Sequence, residues 1–195
     1  MLKGVILDMD GTITKPYIDW QALRAEIGVP PGQMIMHYID ALKGEAQARA
    51  LAILVRRENE AATLSELNEG VAELVGYLKQ RGLKTALVTN NCRSSVDIIL
   101  GKHGLTFELV LTREDGRIKP SGDLILKALA RMGIRNDEAV LIGDGKLDLE
   151  AAENAGVLGV YLTNGQPTFE HEPTAHSMRE AADLIESLGT GVQDA

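Results

Sequence analysis

Two carboxylates stand one residue apart at the end of an apolar run, where Val5-Ile6-Leu7 leads into Asp8-Met9-Asp10-Gly11-Thr12. Side chains alternate faces along an extended segment, so Asp8 and Asp10 can point to one side as the chain enters its glycine turn. A carboxylate so placed can attack phosphorus, its neighbour can give and take a proton, and the pair can hold a divalent cation. Taken alone, the same residues also read as a strand followed by an ordinary Asp-Gly turn. Three later segments shift the balance towards chemistry: Val88-Thr89-Asn90-Asn91, Lys119-Pro120 and Gly143-Asp144-Gly145-Lys146-Leu147-Asp148. Each adjoins an apolar run, and each supplies a residue type that phosphate chemistry uses.

These residues need elements to position them. Short runs rich in β-branched residues predict buried parallel strands over Gly4 to Leu7, Thr85 to Thr89, Ala139 to Ile142 and Val157 to Leu162, with a weaker fifth over Leu109 to Thr112. Between them Val71, Leu74, Val75 and Leu78 recur at helical spacing, with Gly82 placed to end that helix. Ile125, Leu129 and Met132 form a second stripe behind Ser121 as N-cap, and Leu149, Ala152 and Ala155 a third. Strands alternating with helices of this length predict an α/β fold with a doubly wound, Rossmann-like parallel sheet. Ligands of such sheets bind beyond the carboxyl ends of the strands, where Asp8, Thr89 and Asp144 all fall. Residues 15–66 break the alternation with helical patterns alone: Trp20, Leu23 and Ile27, then Ile35, Ile39 and Leu42, then Leu51, Leu54 and Val55. Val29-Pro30-Pro31-Gly32 forms the turn between the first two. The tail from Gly189 to Ala195 is expected to be mobile.

With an Asp-x-Asp-x-Thr box, a Thr, a Lys and a closing acidic pair in that order, the chain resembles the haloacid dehalogenase-like superfamily, and within it the phosphoglycolate phosphatase-like group. The resemblance covers residues 1–12 and about 68–165. It implies a catalytic core of residues 1–14 and 67–195, with a small all-helical cap of residues 15–66 inserted after the first strand. It also implies a metal site in which Asp8, the Asp10 carbonyl and Asp144 bind Mg2+ directly, with Asp148 acting through water or anchoring Lys119. Gly145 departs from the frequent Ser at its position and leaves the carboxylates untouched.

The chemistry assigns roles within that frame. Asp8 is the nucleophile that forms an aspartyl-phosphate, and Asp10 protonates the leaving alkoxide and then activates water. Dehalogenases of the superfamily lack a carboxylate at the second position, so Asp10 favours phosphate chemistry. Thr89, Asn90 and Lys119 are expected to bind the phosphoryl oxygens, whose spread negative charge must be positioned and neutralised. Pro120 biases Lys119 towards an extended backbone. Asp144 and Asp148, four apart where a strand enters a helix, can face one way.

The whole chain bounds the reading. At 195 residues it can bury a substantial core, and its formal charge of −8 with a pI near 5 argues against nucleic acid or an anionic membrane as partner. A single cysteine, Cys92, excludes an internal disulfide framework and fits a reducing, cytoplasmic setting. No segment approaches the ~20 apolar residues of a membrane span. His37, His103, His171 and His176 lack metal-ligand spacing. Arg49, Arg56 and Arg57 read as a solvated helix face or as readers of a substrate's distal anion. The expected function is a Mg2+-dependent phosphatase acting on a small phosphorylated metabolite. A β-phosphoglucomutase-like phosphomutase would keep every motif, and a phosphorylatable receiver-like module would place its Asp after a later strand. Oligomeric state has no signature in the sequence.

Overall fold

Strands buried on both faces make the centre of the molecule. In the computed structural model, which describes residues 1–190, β1 (Gly4–Leu7) lies wholly out of solvent. It is flanked in parallel by β2 (Lys84–Val88) and β4 (Ala139–Gly143). β3 (Leu109–Leu111) extends the sheet beyond β2, and β5 (Leu158–Leu162) and β6 (Thr174–Ala175) extend it beyond β4. The order is β3-β2-β1-β4-β5-β6, all parallel. The chain therefore winds outward from β1, crosses back and winds outward the other way. The resulting crevice lies at the carboxyl ends of β1 and β4.

Alternation along the strands builds two cores. Val5 and Leu7 face α4 (Val71–Gln80), α5 (Arg93–His103) and α8 (Met178–Thr190), packing with Leu74, Leu78, Ile99 and Ile185. Ile6 faces the opposite layer, α6 (Asp123–Met132) and α7 (Lys146–Ala155), with Leu124, Ala128 and Ala152. Three further helices stand between β1 and α4: α1 (Trp20–Ile27), α2 (Ile35–Ala41) and α3 (Gly44–Leu64). They enclose a small cluster of their own, Leu23, Ile39, Ala50 and Leu54. Asp19 caps α1 by accepting from the Ala22 N–H at 2.9 Å.

The expected fold class is the observed one, with local differences. β2 begins one residue earlier and ends at Val88, leaving Thr89 just beyond it; β3 ends at Leu111, and β5 starts at Leu158. A sixth strand of two residues carries too little pattern to be read from sequence. Gly122, not Ser121, holds the N-cap position of α6, and the Ser121 hydroxyl accepts the Asp123 N–H at 3.3 Å. The reason is packing: a Cβ on Gly122 would lie 2.8 Å from the Ala155 nitrogen, so only glycine lets α6 begin against α7. Trp20 and Leu51 belong to the expected apolar stripes yet are 45% and 37% exposed. Gly189 and Thr190 continue α8, and the remainder of the expected mobile tail, 191–195, lies outside the described residues.

Candidate active site

The end of β1 places the first carboxylate. Asp8 carries the strand ladder one step further, its N–H donating to the Ile142 carbonyl at 3.0 Å, and only 6% of the residue is exposed. The chain then doubles back, with Thr14 N–H donating to Met9 O at 2.9 Å and Gly11 N–H to Thr14 O at 2.8 Å. Gly11 has φ +82°, and a Cβ there would stand 2.0 Å from an Asp144 carboxylate oxygen. Glycine is thus required twice over, by the left-handed turn and by the approach of Asp144. Buried Asn68 holds the turn from outside, its Nδ2 donating to the carbonyls of Gly11 and Thr12 at 2.8 Å each. Asn164 donates to the same Gly11 carbonyl.

Lys119 ties the acids together. Its ammonium donates to Asp8, to Asp148 Oδ1 at 2.5 Å and to the Val88 carbonyl at 3.1 Å, which uses all three protons. Asp148 in turn accepts the Gly145 N–H at 3.1 Å, and Asp144 accepts the Thr12 hydroxyl at 3.3 Å. One oxygen each from Asp8, Asp144 and Asp148 lies within 4.8 Å of the others. Fully ionised, three carboxylates against one ammonium leave two negative charges uncompensated in a nearly dry site. The titration behaviour follows from that. Burial, reinforced by Asp148 and Asp144 against the opposing pull of Lys119, raises the Asp8 carboxyl well above the ordinary range. Burial and then Asp148 push Asp144 up to about 6. Burial would depress Lys119, but Asp148 and Asp8 outweigh it and hold the ammonium above the usual lysine value. Carboxylates so crowded, all hard oxygen donors, fit a small divalent cation such as Mg2+.

Asp10 lies outside that trio. Its carboxyl accepts Asn91 Nδ2 at 2.6 Å and the Thr14 hydroxyl at 3.5 Å. Burial raises it to about 6, with Glu58 adding to the rise and Asn91 opposing it. Asn91 belongs to the turn after β2, which organises much of the site. The Thr89 hydroxyl, buried, accepts the Asn91 N–H at 3.2 Å. The Asn90 side chain brackets the Lys119 backbone, donating to its carbonyl at 3.0 Å and accepting its N–H at 2.8 Å. The structure thus engages the Asn90 side-chain amide with the Lys119 backbone.

A clamp from the helical insertion reaches the same turn. Glu58 of α3, 2% exposed, accepts the Cys92 N–H at 3.2 Å and pairs with Arg113 at 2.5 Å. Arg113 lies after β3 and donates its own N–H to the Asn91 carbonyl at 3.3 Å. Sequence reasoning missed Asn91, Asn68, Glu58 and Arg113. The first closes the Val88-Thr89-Asn90-Asn91 segment but takes no role in the sequence reading; the others are polar residues whose partners lie 22 to 57 positions away along the chain, so no local pattern marks them. Arg56 and Arg57 form ion pairs with Glu26 on the exposed face of the insertion. Cys92 is buried, and the histidines contribute nothing to the acidic cluster.

The acids open into a cavity of about 450 Å3 closed on the far side by α1, α2 and α3. A wider groove of about 880 Å3 between α4 and α8 contains none of them. An acid cluster, an anchored lysine and a partly open cavity lie together at the switch point of a parallel α/β sheet. The profile of the haloacid dehalogenase-like hydrolases matches residues 14–161, beginning just after the Asp8–Thr12 turn. The chain belongs to that family. It is 32% identical over 173 residues to a haloacid dehalogenase-like hydrolase domain-containing protein of Arabidopsis thaliana, covering 83% of this chain and 71% of that one. Phosphoglycolate phosphatase 1 of Pseudomonas aeruginosa is 27% identical over 201 residues, covering 87% and 74%. The crystal structure of a hydrolase from Pseudomonas syringae superposes with a TM-score of 0.79 at 20% identity, covering 95% of this chain and 98% of that one, a likeness of fold. Among the described residues no helix is long and apolar enough to cross a membrane.

Proposed function

We propose that the protein is a Mg2+-dependent phosphatase that hydrolyses a small phosphate monoester through an aspartyl-phosphate on Asp8. The observation that carries the reading is the pairing of two differently held carboxylates: Asp8 among the acids and Lys119, and Asp10 apart from them with its carboxyl near 6. A group titrating near 6 can both donate and accept a proton close to neutrality. In the proposed sequence, an Asp8 oxygen bonds to phosphorus as the ester bond breaks, and Asp10 delivers its proton to the departing alkoxide. Asp10, now ionised, takes a proton from water as that water attacks the same phosphorus, releasing phosphate and restoring Asp8. Thr89 and the Asn90 N–H would donate to the phosphoryl oxygens, and Lys119, whose protons go to Asp8, Asp148 and Val88, would contribute its positive charge beside them.

Asp8, the Asp10 carbonyl and Asp144 would hold the metal, with Asp148 behind them on Lys119. The ion would offset repulsion between the Asp8 carboxylate and an anionic substrate. Residues 15–66 act in this reading as a cap that excludes water and reads the leaving group. The names of the relatives support a small phosphorylated substrate, and the cytoplasm is the proposed location. The test is phosphate release from a panel of phosphate monoesters with Mg2+ and with excess chelator. Release only with metal is expected, and undiminished release in chelator removes the metal from the scheme.

A further inference from the structure

We propose that Arg24 binds a second oxyanion of the substrate, a carboxylate or a phosphate at the end of the leaving group away from the transferred phosphoryl group. The proposal rests on the phosphatase reading above and adds the substrate class, small phosphate monoesters that carry a distal anion. Its basis is the placement of charge around the 450 Å3 cavity. Three cations line it: Arg24, Lys119 and Lys146. Lys119 is fully engaged with Asp8, Asp148 and the Val88 carbonyl. Lys146 is the first residue of α7, between Asp144 and Asp148 in the chain, and its ammonium stands 5.4 Å from the centre of the Phe169 ring. Arg24 alone stands on α1, in the wall that closes the cavity on the far side from the acids.

The local structure fixes Arg24 without neutralising it. Its carbonyl accepts the Gly28 and Val29 N–H groups at 2.9 Å each, which ends α1, and its Nη2 donates to the Pro30 carbonyl at 2.7 Å. Among the described residues no carboxylate pairs with it, and its Nε and Nη1 have no protein partner. The guanidinium is half-buried on a wall it shares with Trp20, Met34 and Ile35, so it has lost part of its water and has one carbonyl in exchange. An oxyanion arriving there would gain a charged donor with a planar, two-pronged face, already held in place. The other arginines of the insertion are not available for this. Arg56 and Arg57 are turned to Glu26, and neither they nor Arg49 line the cavity. The acids of the floor repel a second anion, so a substrate that carries one is best oriented with that end towards Arg24.

The test uses the intact protein with Mg2+ and pairs of esters that differ in distal charge: 2-phosphoglycolate and its amide, 4-phosphooxybutanoate and its amide, and butane-1,4-diol bisphosphate and the monophosphate. All leave as primary alkoxides, so leaving-group chemistry is matched. Since a hydrogen bond to a charged group is worth roughly 10- to 100-fold in affinity, kcat/KM for the charged member of at least one pair should be about tenfold higher or more. The larger ratio among the carboxylate and phosphate pairs names the oxyanion. Arg24→Met should bring that ratio close to one, Arg24→Lys should keep part of it, and Arg56→Met, outside the cavity, should keep all of it. Calorimetric titration with 4-phosphonobutanoate and its amide, which are not hydrolysed, should show the same preference in Kd and the same loss in Arg24→Met. Neutral members turned over as well as charged ones in all three pairs, or a ratio that survives Arg24→Met, overturns the assignment while leaving the phosphatase reading standing. Folded protein that releases phosphate from no ester, yet binds 4-phosphonobutanoate through Arg24, overturns the phosphatase reading and leaves the anion site standing.

Discussion

The floor and the roof of the cavity are built on opposite principles. On the floor, Asp8, Thr89, Lys119 and Asp148 are 2–6% exposed, and their polar groups are fixed by hydrogen bonds from β1, β2, β4 and the turns beyond them. The roof presents side chains such as Trp20, which is exposed, and Met36, which is half-buried, both lining the cavity. A floor of that kind holds charged groups at defined separations in a low-dielectric setting, which the chemistry of a phosphoryl group requires. A roof of apolar surface can change without disturbing them. On the proposed reading, reaction type and substrate choice are carried by separate parts of the chain, joined at Glu58.

Substitutions on the floor should therefore be the most damaging. Asp8→Asn replaces the proposed nucleophile by a neutral amide of the same shape, and turnover should fall by on the order of 10^6, as when other enzymes lose their nucleophile. The fold should survive, because a buried carboxyl that resists ionisation is removed while Lys119 keeps Asp148. Phosphate release measured beside a thermal melt checks both halves. A variant that melts normally and retains more than a trace of turnover would remove Asp8 from the nucleophile's role.

Asp10→Asn should cost less, and unequally. Loss of a general acid–base group typically costs about 10^2- to 10^4-fold. That loss should fall on alkyl esters, whose alkoxide must be protonated, and be smaller for aryl phosphates with stable leaving groups. Equal losses on both ester types would count against proton transfer by Asp10.

Glu58→Gln tests the joint between floor and roof. The variant keeps the shape but weakens the pair with Arg113, which with the Cys92 N–H holds the turn that presents Asn91 to Asp10 and Asn90 to Lys119. Misplacement of a catalytic group by 1 Å can cost about 10^2-fold, so a softened clamp should cost about tenfold in kcat. The pH profile of kcat should shift as well, because Glu58 adds to the rise of Asp10. A change in KM alone, with kcat and its pH profile intact, would make the clamp a support for the roof only.

How much of this was legible in the sequence follows the same division. The strands of the floor are continuous apolar runs of three to five residues, and each ends in a residue that breaks the run, so Asp8, Thr89 and Asp144 announce themselves. Helix α8 was not read, although Met178, Ala181 and Ile185 recur at helical spacing on its buried face. The clamp was illegible. Glu58 sits in a helix with Arg56, Arg57 and Glu60 and looks like one more charge on a solvated face, and only the packing of α3 against α5 turns it inward. Trp20 misled in the opposite sense. Apolar spacing marks it for a core, whereas it faces a cavity, and periodicity does not distinguish one apolar environment from the other.

The smallest expected effect is thermodynamic, and it isolates the floor without catalysis. Unfolded aspartate titrates near 3.8, whereas Asp10 and Asp144 are held near 6 and Asp8 well above its ordinary value. Between those limits the folded metal-free protein binds more protons than the unfolded chain, so its stability falls as pH rises through about 4 to 6, and further as Asp8 ionises. A metal ion favours the ionised acids and should offset that loss, so Mg2+ should stabilise little at pH 5 and clearly at pH 7.5. At a free concentration ten times Kd the gain is about 1.4 kcal/mol, or roughly 3–6 °C in Tm for a chain of this size. Asp144→Asn should abolish the metal-dependent shift, whereas Trp20→Ala on the roof should leave it intact. An equal Mg2+ shift at both pH values would mean that the ion does not compete with protons for these carboxylates, and would place the metal elsewhere than on the floor.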